Sequence, residues 1–132
     1  MSKLKELILR NAEEIRRIDA RIHETVAYRD ESKEKHMEWS NACAEFHARY
    51  DKLAFPGGYE GACERMLAGE EEAMEAAICF LECRPYFFRS GYMTSEILRK
   101  IKKAPLSDEQ RQRLNAVLLK REAYRQKKVK AG

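Results

Sequence analysis

Tyr28-Arg29-Asp30-Glu31-Ser32-Lys33-Glu34 decides how the first half of this chain folds. On its N-terminal side Leu4, Ile8, Ile15, Ile18 and Ile22 recur at steps of three, four or their sum, and on its C-terminal side Trp39, Cys43, Phe46, Tyr50 and Leu53 do the same. That spacing is a heptad seam, the pattern of an amphipathic helix that must cover one apolar stripe. Carried through the quoted stretch, the same steps land on Thr25, Arg29, Ser32 and His36, so the seam is polar at its centre.

Two folds satisfy this pattern. One helix over residues 2–54 would be about 75 Å long at 1.5 Å per residue and would need a partner or a returning helix along its seam. A break within residues 28–34 would give an antiparallel hairpin instead. The stretch holds no glycine, no proline and no capping box, so local chemistry favours the uninterrupted helix.

Beyond it, Phe55-Pro56-Gly57-Gly58 stops the segment, since proline cannot continue a helix and paired glycines release the backbone into a turn. Short helices are expected over Tyr59 to Ala68 and over Glu70 to Cys83, the second opening with three acids where the helix dipole favours negative charge. Pro85 closes it. Thr94 or Ser95 can cap a helix reaching about Lys103, and Ser107-Asp108-Glu109-Gln110 is a capping box for the last one, which frays from Gln126. The expected fold is all-α, with a long N-terminal amphipathic helix, or a helical hairpin, packed on a small bundle of short antiparallel helices. It is read as a single helical domain over 1–132, with the long segment in 1–55 and the bundle in 59–128.

Charged residues make up 36% of the chain, against six glycines and three prolines, a balance that favours helices over a turn-rich sheet. The longest apolar run, Ala76 to Leu81, is six residues and far below the roughly 18 needed to cross a bilayer. Residues 1–10 lack the unbroken apolar stretch of a secretory signal, so Cys43, Cys63, Cys79 and Cys83 are read as thiols of a cytoplasmic protein with no membrane partner.

The cysteines also raise the question of chemistry. Cys79 and Cys83 lie four apart, as do Cys43 and His47, and together they make a conceivable Cys3His zinc set. Their spacing equally continues apolar faces, where free cysteines are ordinarily buried. The residues three before His23, His36 and His47 are Ala20, Lys33 and Ala44, so the Glu-x-x-His pattern of a di-iron bundle is missing. A Cys43–His47 nucleophile has no orienting acid or glycine-rich elbow near it, and Gly57-Gly58 has no lysine to hold a phosphate. No catalytic residue, cofactor or metal is assigned.

Two binding surfaces remain. Arg84-Pro85-Tyr86-Phe87-Phe88-Arg89-Ser90-Gly91-Tyr92-Met93 gathers four aromatics and two arginines between helices, the residue types that dominate interface hot spots. The same rings could instead plug the core. With the aromatic end of the seam they give the expected partner contacts Trp39, Phe46, Tyr50, Tyr86, Phe87, Arg89 and Tyr92. The reading is a non-enzymatic module for protein–protein interaction or self-association. The second surface follows from charge. Residues 1–94 carry 14 basic and 18 acidic side chains and residues 95–132 carry 12 and 4, a change from −4 to +8. Lys100, Lys102, Lys103, Lys120, Arg121, Arg125, Lys127 and Lys128 are therefore alternative contacts to nucleic acid.

Overall fold

A computed structural model describes residues 2–131 and is all-helical. Its elements are α1 (Lys3–Val26), α2 (Lys33–Ala54), α3 (Ala62–Leu67), α4 (Glu71–Cys83), α5 (Ser90–Ile101) and α6 (Asp108–Ala131). The all-α expectation holds, and of the two forms of the N-terminal segment it is the hairpin that forms.

The uninterrupted helix favoured by the sequence is thus corrected, and the cause is local and tertiary at once. Thr25 bends its hydroxyl back to the carbonyls of Arg21 and Ile22 at 2.8 and 3.2 Å, and the amides of Tyr28 and Arg29 bond only three residues back. Ser32, extended at φ −163°, then accepts from the Lys35 amide at 3.1 Å and starts α2 without any acid three residues on. The Arg29 guanidinium lies over the Trp39 ring, 4.7 Å from its centroid, and ties the turn to the helix it feeds. Burial completes the argument: α2 folds back along α1 and covers the seam that a lone helix would leave wet. Arg17 reaches Glu45 and Arg49 reaches Glu14, cross-helix pairings that run antiparallel, and Arg49 also bonds Glu45 within α2.

The seam of α1 lies inside, with Ile8, Ala12, Ile15 and Ile18 all buried. Its other cover is α4, which packs against α1, α3, α5 and α6. A helix with an apolar face this wide belongs in a core. Eight of the thirteen residues of α4 are buried, among them Ala73, Ala76 and Ala77, whose small side chains let neighbours approach, and Ile78 and Phe80, each worth about 1.5–3 kcal/mol on removal from water.

The turns follow the sequence with three differences. Phe55-Pro56-Gly57-Gly58 ends α2 as expected, Gly58 standing at φ 91° with Asp51 so near that an added Cβ would lie 2.9 Å from its carboxylate. The Ser107 box forms, Gln110 donating its amide to the serine hydroxyl at 3.1 Å and accepting from the Ser107 amide at 3.0 Å. The first difference is that α3 is only six residues long. The second is that α5 begins at Ser90, not at Thr94 or Ser95, because Thr94 spends its hydroxyl inside the helix on the Ser90 carbonyl at 3.0 Å. The third is that α6 does not fray at Gln126 but stays helical to Ala131.

Candidate interaction surface

The α4–α5 connection is where the backbone departs furthest from regular structure. Arg84 closes α4 at φ 50°, donating its amide to the Phe80 carbonyl at 3.0 Å, and Arg89 precedes α5 at φ 67°. Both occupy the left-handed region that residues with a Cβ usually avoid. What holds them is a set of bonds from distant elements. Arg16 of α1 donates to the Tyr86 carbonyl at 2.5 Å, and the Tyr50 hydroxyl of α2 donates to the Phe88 carbonyl at 2.6 Å. Within the loop the Phe87 amide donates to the Ser90 hydroxyl and the Ser90 amide to the Phe87 carbonyl, at 3.1 and 2.9 Å.

This fixed backbone sends alternate rings in opposite directions. Phe87 points inward, 5% exposed, with its centroid 6.1 Å from Tyr50 and 6.2 Å from Phe80. Tyr86 and Tyr92 are each 79% exposed and Phe88 51%. Arg89 lies over the Phe88 ring at 5.4 Å. Arg16, Asp19, Tyr86, Phe88, Arg89 and Tyr92 bound an open groove of about 680 Å³. A second groove of about 400 Å³ continues it past Arg89 and Tyr92 to Tyr59, Glu96 and Arg99. There the Tyr59 hydroxyl bonds the Glu96 carboxylate, and burial followed by that carboxylate pushes the phenol far above its usual range. Burial likewise raises Tyr50. Both phenols are neutral donors at any physiological pH.

Of the seven expected contacts, Tyr86, Arg89 and Tyr92 meet on one face. Phe46 and Phe87 are core residues and are corrected as contacts: Phe46, 7% exposed, stacks on Tyr50 at 5.2 Å and supports the surface from beneath. Tyr50 is half-buried and acts through the Phe88 carbonyl. Trp39 lies in α2 beneath Arg29 of the hairpin turn, eleven residues or about 16 Å along the helix from Tyr50. The residues that sequence reasoning missed are Phe88, which shares the quoted aromatic run, and Arg16, whose bond to Tyr86 spans 70 positions and leaves no local signal.

The basic residues do not form one patch. Lys100 ends α5 and Lys102 and Lys103 follow it near the start of α6, whereas Lys120 lies about 18 Å further along α6 from Asp108. Between them α6 is fastened to α4 by charge. Arg113 donates to Glu75 at 2.8 and 2.9 Å and to Glu82 at 2.7 and 3.1 Å, and Gln110 donates to Glu71 and Glu75 at 3.1 and 3.2 Å.

The thiols are dispersed among these contacts. Cys79 bonds Glu75 at 3.4 Å and takes a contact from Arg113 at 3.6 Å, Cys83 donates to the Lys5 carbonyl at 3.9 Å, and Cys63 faces Glu96 at 3.9 Å. Among the described residues no three His, Cys, Asp or Glu side chains stand where they could share a metal ion, so Cys43, His47, Cys79 and Cys83 do not converge. No helix among these residues is long and apolar enough to cross a membrane.

Compared with protein-family models, with curated proteins and with solved structures, the chain has no match in any of the three.

Proposed function

We infer that this chain is a non-enzymatic protein-interaction module that binds one protein partner or a second copy of itself through the aromatic–arginine surface of the α4–α5 connection. One observation carries the reading: Tyr86, Phe88 and Tyr92 stand in water on a backbone tied down from α1 and α2. Exposed aromatics grouped beside arginine are the composition of an interface hot spot, and a loop already held in place loses little freedom when it is covered. The thiols favour the same reading. Burial pushes Cys63, Cys79 and Cys83 above the ordinary thiol range, the opposite of what a nucleophilic cysteine requires.

The test is sedimentation of the wild type and of a Tyr86→Ser/Tyr92→Ser variant over a wide concentration range, followed by affinity capture with both. The expected result is an association, with itself or with a captured protein, that the variant loses while its helical circular dichroism is unchanged. Equal association by both proteins, or none by either, overturns the reading.

A further inference from the structure

A cleft of about 310 Å³ opens where α4 ends, between the start of α1, α5 and the middle of α6. Lys5, Arg84, Arg113, Lys120 and Arg121 line it with a single carboxylate, Glu82. That carboxylate is already engaged, by Lys5 at 3.2 Å and Arg113 at 2.7 Å. Among the described residues no ion pair falls on Arg84, Lys120 or Arg121, nor on Arg125, Lys127 or Lys128 further along the helix.

These six cations are arranged as well as unpaired. α6 runs beside α4 in the same direction, Gln110 meeting Glu71 and Glu75 and Arg113 meeting Glu82, so α6 passes the end of α4 and continues alone. Every residue from Glu122 to Lys130 is exposed. At about 100° per residue, Lys120, Arg121, Tyr124, Arg125, Lys127 and Lys128 fall within an arc of about 160° that continues the face of Gln110, Leu114 and Val117. Glu122 lies outside that arc. The cleft therefore opens onto a cationic stripe about 12 Å long on a bare helix. Arg121 and Arg125 lie four apart, one turn from each other along that stripe.

We propose that the cleft and the free half of α6 bind duplex nucleic acid through its phosphates. A lone helix about 10–12 Å across matches the major groove, roughly 12 Å wide, and the cleft then takes a flanking phosphate beside Arg84. Cations in a line call for a ligand whose charges repeat along a line, and a phosphodiester backbone is one. Recognition of this kind is electrostatic and indifferent to sequence.

Anisotropy of a labelled duplex of about 20 base pairs and mixed sequence, titrated from about 50 to 200 mM salt, tests this. With six cations engaged, log K should fall against log salt with a slope of about −5, roughly a thousandfold over that range. The variant Lys120→Gln/Arg121→Gln/Arg125→Gln/Lys128→Gln retains two of them, so its slope should drop to about −2 and its loss over the same range to about tenfold. Lys100→Gln/Lys102→Gln/Lys103→Gln, at the other end of α6, should leave the slope where it was. The proposal is overturned by absence of binding at the lowest salt, by equal weakening in both variants, or by polyglutamate of equal charge competing as well as the duplex does. The last result would assign the stripe to an acidic protein.

Discussion

Replacing Arg113 by Met should uncouple α6 from α4 and make the loss depend on pH. The methionine retains most of the apolar stem and removes the guanidinium that bonds Glu75 and Glu82, leaving two carboxylates facing an apolar side chain. Removing one partner from a fully buried ion pair costs about 3–5 kcal/mol. Here the side chains of Arg113, Glu75 and Glu82 keep 23%, 35% and 21% of their surface in water, so solvent screening reduces the figure to about 2–3 kcal/mol. For a chain of this length that is a fall of about 10 °C in Tm. The pH dependence follows from the carboxylates. For Glu82 the Arg113 hydrogen bond is the main cause of a pKa held below the usual carboxylate value of 4.5; for Glu75 burial pulls upward but Arg113 and Gln110 outweigh it and the pKa is also lowered. A depressed folded-state pKa contributes stability that is present above the unfolded value and lost as pH falls through the folded one. The wild type should therefore lose this contribution on acidification, while the variant has only the smaller part that Lys5 gives Glu82 and Gln110 gives Glu75 to lose. Urea unfolding followed by far-ultraviolet circular dichroism should show the gap between the two proteins at its widest near pH 7 and narrowing steadily below about pH 4.5. A gap under about 0.5 kcal/mol at neutral pH, or one that does not change with pH, would refute the argument.

Two further outcomes probe the hairpin. Ser32→Ala removes the side chain that caps the start of α2 and should cost about 1 kcal/mol, with faster hydrogen exchange at the Lys35 amide; an unchanged exchange rate there would mean that the turn is held by the Arg29–Trp39 contact alone. Glu14, drawn down to about 2 by hydrogen bonds from Arg17 and Arg49, should titrate by carboxyl NMR at a clearly higher pH in Arg49→Ala, because one of the two donors is gone. A Glu14 titration that does not move would show that Arg49 pairs with Glu45 in solution instead.

The sequence was most readable where one short stretch carries both halves of a bond. The Ser107–Gln110 box and the Phe55-Pro56-Gly57-Gly58 stop needed nothing from elsewhere, and both were legible. The hairpin turn was not, because Ser32 caps without an acid three residues on and the rest of the stabilisation comes from α2 lying along α1. The same distinction applies to the aromatic run. That Tyr86 and Tyr92 would be surface residues and Phe87 a core one depends on where Tyr50 and Arg16 take hold of the loop, 38 and 70 positions away. The residue class of the site was visible, but the direction of each ring was a tertiary outcome.

The division of α6 shows why a charge count over a segment does not tell where its cations stand. Charge counted over residues 95–132 treats every cation as equivalent, yet Arg113 is consumed by Glu75 and Glu82, and Lys100, Lys102 and Lys103 lie at the far end of the helix from Lys120. What remains is a half-helix rich in Lys and Arg, residues of high helix propensity. It needs no packing to persist, because its first turns are already nucleated by the capping box and by Leu114 against the core, so each further residue has only to propagate a helix, not to start one. A bare extension of this kind adds nothing to the core that it leaves behind. Its cations are therefore free to be selected for a ligand, and the segment with the least structural obligation is the one on which a charged binding surface can be built without cost to the fold.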